Sequence, residues 1–309
     1  ENTLITGSVS TTYITKEGEQ EFESLGWMNG EEVTYKFPKG TKILSLQYRE
    51  TGYNSEFSGD FNCDDEFLNT LWQKSLRTLY VTMRDNFMDC PDRERAQWWG
   101  DVTNEMVMTM YAMDSNSYLL YQKGVEDMLS HLEGSDILQT VVPISGDYFE
   151  LPVQQLEGIV GFLTWEMGEN NLVVHREGSW DWPDWGSGAD MTAIENAWVY
   201  YALSSVEEMA AVLGVEDDLS FIAERKERIK SGYQSLWTKK GFKSKGKLKP
   251  DDRANALAVL AGLAEEWQYD TIVNVLTSTK NSSPYMEYYV LEALCKLGRY
   301  DEAVARIKD

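Results

Sequence analysis

DDEFLNTLWQKSLRTLYVTMRD, residues 64–85, decides the fold class. Its apolar residues Phe67, Leu68, Leu71, Trp72, Leu76 and Leu79 recur at i, i+3 and i+4, the spacing of one face of an α-helix. Asp64 offers a side-chain acceptor to the first free amides, which predicts a helix capped there. Downstream the same period predicts helices near 101–114, 116–133, 153–170, 190–213, 217–236, 251–264, 268–278, 285–297 and 300–308. Helices joined by short links, with almost no strands between them, predict a bundle, a solenoid or an α/α toroid. No repeat of solenoid length is visible, which weakens the solenoid.

Working outward, the upstream stretch reads differently. In KILSLQYRE, residues 42–50, Leu44, Leu46 and Tyr48 alternate with period two, and Gly40, Gly52 and Gly59 punctuate the region. Residues 1–60 are therefore expected to be a short β segment, the tail of a preceding domain or a linker, and 61–309 the helical domain. With no initiator Met and no signal peptide, the chain reads as part of something longer.

Composition narrows the function. The 51 acidic and 28 basic residues leave a net charge of −23, which repels a phosphate backbone and an anionic membrane surface. No apolar run is long enough to span a bilayer. The three cysteines, Cys63, Cys90 and Cys295, are too far apart for a disulfide framework or a metal-ligand spacing. His131 and His175 are the only histidines, so a zinc site or a Ser-His-Asp triad has little to draw on. No metal and no cofactor are expected. The 11 Trp and 17 Tyr suit a groove that accepts sugar rings, with their apolar faces and hydroxyl rims.

Two loops concentrate acids and tryptophans. The first, NFMDCPDRERAQWWGD at 86–101, holds Asp89, Asp92, Glu94 and Asp101 among Arg93, Arg95, Trp98 and Trp99. The second, HREGSWDWPDWGSGAD at 175–190, holds Trp180, Trp182, Asp184 and Trp185. Glycoside hydrolysis needs one carboxyl that is protonated and one that is ionised. Tryptophans desolvate a carboxyl and raise its pKa, whereas arginines lower it, so such a loop can hold both states. An ion-paired surface loop is the plainer reading of the same residues.

The order of residues adds to this. Asp89-Cys90-Pro91-Asp92-Arg93-Glu94-Arg95, then Trp98, then Gly100-Asp101, resembles the signature of glycoside hydrolase family 78, the α-L-rhamnosidases. FSGDFNCDDEFLNTLWQKSLRTLYVTMRDNF before it and SPYMEYYVLEALCKLGRYDEAVARI near the end are also similar to that family. The resemblance implies a mainly α, (α/α)6 toroid and an inverting hydrolysis of terminal α-L-rhamnosides. It implies Glu94 as general acid, with Asp89, Arg93, Trp98 and Asp101 binding the sugar. Ala96, Gln97 and Trp99 depart from the usual pattern around the motif. The second loop resembles the one that caps the pocket, which implies sugar contacts for Trp180, Asp184 and Trp185. Tyr285, Tyr288 and Tyr289 are more often core or rim residues than sugar contacts.

An inverting enzyme also needs a general base. The family supplies it from a Gly-Ala-Thr-Thr-like segment ending in Trp-Glu, which is expected beyond Asp309, so the toroid is expected to lack its last hairpin. Within the chain Asp184 and Glu287 are the substitutes to weigh. The partner expected is a rhamnose-containing glycan or glycoside; oligomeric state and localisation, whether cytoplasmic, periplasmic or extracellular, stay open. The alternatives are a toroid glycosidase for another sugar and a non-catalytic carbohydrate-binding homologue. A toroid of unrelated, isoprenoid chemistry lacks its motif, since Asp251-Asp252-Arg253 does not extend to DDxxD.

Overall fold

The computed structural model describes residues 10–24, 26–30, 32–91, 93–130, 141–142, 166–175, 183–186 and 188–309. Of the helix expected at 153–170, residues 153–165 lie outside them, as do His131 and Trp180, and 166–170 form a bridge (Met167–Val173) and a turn instead of helix. The chain divides into two compact units, residues 1–132 with 138–150, and residues 133–137 with 151–309.

The first unit is built on α1 (Glu66–Thr82), α2 (Trp99–Ala112) and α3 (Ser117–Ser130). The cap of α1 is Asp65, one residue after the position expected from the sequence: its carboxylate accepts from the amides of Phe67 and Leu68. The apolar stripe of α1 is used only in its second half. Leu76 and Leu79 join Met83, Phe87, Val102, Ala112, Met113 and Leu120 in a core, whereas Phe67 and Leu71 stay exposed. Leu44, Leu46 and Tyr48 are also exposed, and the one β pairing of the described residues 10–60 is the bridge Phe57–Met113. Around that bridge the chain fastens to the ends of α1 and α2. The Tyr53 amide donates to Met83 O (3.2 Å), and those of Ser58 and Gly59 to Ala112 O (3.1 Å each). Only glycine fits at 59, where a Cβ would lie 1.9 Å from the Tyr111 carbonyl oxygen.

The second unit holds α4 (Met191–Leu213), α5 (Phe221–Gln234), a two-residue hairpin of β1 (Trp237–Thr238) and β2 (Gly241–Phe242), α6 (Asp252–Leu260), α7 (Tyr269–Ser278), α8 (Pro284–Lys296) and α9 (Tyr300–Ile307). α6 is the centre: all nine of its residues are buried, and it packs on α4, α7 and α8. Ala254, Ala256 and Ala258 let those neighbours approach, while Leu257, Val259 and Leu260 fill the space between them. Among the described residues no helix is long and apolar enough to cross a membrane.

Candidate active site

The acid loop is fixed by its own backbone. The Asp89 amide donates to Ala96 O, and the Ala96 amide donates back to Asp89 Oδ1, both at 3.0 Å. This reciprocal pair closes residues 89–96 into a ring. Gln97, fully buried, anchors the exit of the loop by donating through Nε2 to Val142 O (2.7 Å). Trp98 caps α2, and its carbonyl accepts the Val102 amide at 2.9 Å. Asp101 therefore sits in the first helical turn, where the helix dipole favours a negative charge.

Four of the predicted residues meet here. Donor atoms of Asp89, Cys90 and Glu94 lie within 4.8 Å of one another. Cys90 Sγ is 3.3 Å from Glu94 Oε2, and Arg93, itself exposed, pairs with Glu94 Oε1. The carboxyls are pushed apart in protonation. The Arg93 guanidinium holds Glu94 down at about 2. Burial pushes Asp89 up, helped by the charge of Glu94 and opposed by the Ala96 amide. Burial and then the charge of Asp89 raise Asp101 to about 6. One loop thus holds an ionised carboxylate and a readily protonated one, the combination that acid–base hydrolysis requires.

The sequence reading missed Glu105, four residues after Asp101 on α2. Burial, then the charges of Asp101 and Asp89, raise it to about 8 against the opposing Thr82 hydroxyl. Its Oε2 is buried without a hydrogen-bond partner. The signal was available: i and i+4 share a helix face, so Glu105 stacks under the aspartate singled out.

The second loop behaves differently. Asp184 was expected to accept from a sugar, but its carboxylate is buried and fully engaged. Oδ2 accepts from Arg253 Nη1 (3.3 Å) and the Ser283 amide (2.8 Å), and Oδ1 accepts from the Ser283 hydroxyl. Arg253, with no exposure, forks onto both oxygens of Asp251 at 2.9 Å each. Asp251 Oδ2 in turn accepts the amide of Asp190, the cap of α4, at 3.0 Å. Asp184 is thus a strut that ties its loop to α6 and α8. Its neighbour Trp185 is 67% exposed. Glu287 is likewise committed, to Arg306 through Nε and Nη2 and to the Ser282 hydroxyl (2.6 Å). His175 Nδ1 lies 2.6 Å from Glu195 Oε1. Tyr289 is buried edge-on against Trp198 at 5.0 Å, with Tyr285 and Tyr288 around it, as core residues pack.

The sequence matches the family described as the bacterial alpha-L-rhamnosidase 6 hairpin glycosidase domain over residues 56–167 and 153–288. Comparison with curated proteins finds no match. Among solved structures, a GH78 rhamnosidase of Bacillus sp. GL1 superposes with a TM-score of 0.68 at 20% identity, over 83% of this chain and 31% of that one. The Klebsiella oxytoca rhamnosidase with rhamnose bound gives 0.66 at 19% identity, over 80% of this chain and 55% of that one. The Streptomyces avermitilis α-L-rhamnosidase complexed with L-rhamnose gives 0.64 at 16% identity, over 82% and 27%. These similarities carry the fold, which is that of the mainly α six-hairpin glycosidases. The chain spans about a third of the length of the Bacillus enzyme.

Proposed function

The chain belongs to the bacterial α-L-rhamnosidase six-hairpin glycosidase family, and from that premise we propose that it forms the catalytic part of an inverting glycoside hydrolase that releases terminal α-L-rhamnose. The observation that carries the reading is the gathering of Asp89, Glu94 and Asp101 at the head of α2 with their protonation states split. In this reading Glu94 protonates the leaving oxygen. Arg93 favours the ionised form of Glu94, so in this reading sugar binding draws the exposed guanidinium onto the sugar hydroxyls and lets the carboxyl take up a proton. Asp89 and Asp101 accept hydrogen bonds from the sugar, and carboxylates do so strongly. Trp98, the cap residue of α2, lies between Glu94 and Asp101 in the chain. With Asp184 and Glu287 committed to arginines, the reading assigns the general base to a residue outside these 309.

A second reading has its own support: Asp101, raised to about 6, is already the better proton donor near neutral pH. The test is turnover of an aryl α-L-rhamnoside by the complete enzyme, base included, with the anomer of the released sugar followed by NMR. β-Rhamnose as first product supports inversion. Rhamnose binding without turnover would point to a carbohydrate-binding homologue, and turnover of a different glycoside to another sugar.

A further inference from the structure

In the described stretch 10–52, only Ser24 and residues 27–29 are withdrawn from solvent. Trp27 is packed against two arginines, Arg95 of the acid loop and Arg84 just before it. The Arg95 guanidinium carbon is 3.8 Å from the Trp27 ring centroid and that of Arg84 is 4.4 Å away. Both guanidinium groups thus lie within cation–π distance of the one Trp27 ring. Arg95 also donates through Nη1 to Trp27 O (3.3 Å), through Nη2 to Asn29 Oδ1 (3.1 Å) and through Nε to Pro91 O (2.9 Å). Arg84 Nη1 donates to Thr51 Oγ1 at 2.6 Å.

The clamp falls where the loop is strained. Arg95 has φ +51°, a left-handed conformation that costs a non-glycine residue energy and persists only if its surroundings hold it. That backbone turn follows Glu94 directly, so it sets where the Glu94 carboxyl points.

We propose that Trp27 and Asn29 form a strap that holds Arg95 and thereby aims Glu94, making Trp27 a positioning residue for the acid step. The strap is supplied by the segment that precedes the helices, far from the motif in sequence. The proposal rests on the rhamnosidase reading for its kinetic consequence, but its structural consequence stands by itself.

The experiment compares Trp27→Ala and Trp27→Phe with the unchanged complete enzyme, base included. Substrates are a 4-nitrophenyl α-L-rhamnoside, whose leaving group needs little protonation, and a methyl α-L-rhamnoside, whose leaving group needs much. Misplacing the acid should cost Trp27→Ala about 10- to 100-fold in kcat on the methyl glycoside, with kcat on the nitrophenyl glycoside changed by less than about threefold. Trp27→Phe keeps an aromatic ring against the arginines and should restore most of the loss. Equal losses on both substrates, or none on either, would overturn the proposal. Hydrogen exchange separates the strap from the function. In Trp27→Ala the amides of 86–98 should exchange about 10-fold faster or more while those of α1 do not change. If the unchanged complete enzyme, base included, cleaves neither glycoside, faster exchange upholds the strap while the rhamnosidase reading falls. Unchanged exchange overturns the strap in either case.

Discussion

Asp101 and Glu105 stand one helical turn apart on the same face of α2, and Glu105 is the carboxyl raised further, to about 8 against about 6. The Thr82 hydroxyl opposes the rise of Glu105, but burial outweighs it, because an ionised Glu105 would be a charge withdrawn from water.

The pH dependence of stability follows from this arrangement. Between its ordinary 4.5 and about 8, folded Glu105 keeps a proton that the unfolded chain has lost. Stability is thus fully present below that window and falls as pH rises through it. Asp101 adds a loss of the same sign between 3.8 and about 6. Glu105→Gln is neutral at every pH and should remove the larger part, on the order of a few kcal/mol at pH 8.5. Melting temperatures recorded from pH 4 to pH 9 should show the variant gaining on the parent above pH 5. Parallel curves would place Glu105 in water rather than in the core.

The two candidate acids separate by kinetics. Glu94→Gln should lower kcat on a rhamnoside with a poor leaving group by about 10²- to 10⁴-fold and spare an activated aryl rhamnoside. Asp101→Asn should raise KM and so lower kcat/KM on both substrates alike, with kcat little changed, because a hydroxyl acceptor acts in the ground state and the transition state alike. If the leaving-group dependence appears in Asp101→Asn instead, Asp101 is the acid and Glu94 the sugar ligand.

A buried arginine with two carboxylates is costly to break. Arg253→Met leaves Asp184 and Asp251 without their counter-charge in a site with no solvent access, and about 3–5 kcal/mol of stability should be lost. Urea unfolding measures it. Asp184→Asn should also lower the unfolding midpoint. A raised KM for rhamnosides with an unchanged midpoint would return Asp184 to the sugar site.

The parts legible in the sequence are those that depend on near neighbours. The helices follow from apolar spacing within a few turns, and eight of the expected ones appear as α2 to α9. The acid loop was legible because its residues are contiguous and its ring closes over seven positions, from Asp89 to Ala96. Half of the α1 stripe misled, because spacing marks a face that can be buried without saying what covers it. Asp184 misled for a related reason. Its partners Arg253 and Ser283 are 69 and 99 residues away, and beside three tryptophans an aspartate looks like a ligand rather than a strut. Trp27 carried no signal at all, since its contacts with Arg95 span 68 residues.

Glu287 gives the last prediction. An inverting base must stand free beside a water, roughly 6.5–9.5 Å from the acid carboxyl. Glu287 is instead held by Arg306, which also reaches Asp252 Oδ2 (2.7 Å), Thr279 O (2.7 Å), Ser282 Oγ (2.8 Å) and the Leu276 carbonyl. Arg306 is thus the pin that fastens α9 to α6, α7 and α8, and Glu287 is one of its anchors. A carboxylate paired with arginine is a poor proton acceptor, because its charge is already stabilised. Glu287→Gln should therefore lower the melting temperature and leave kcat on an aryl rhamnoside within about threefold of the parent, far from the 10²-fold or greater loss expected for a base. Azide provides the control: a small anion can attack the anomeric carbon without a base. A deep loss of turnover in folded Glu287→Gln, restored by azide with formation of a rhamnosyl azide, would make Glu287 the base and place both carboxyls within this chain.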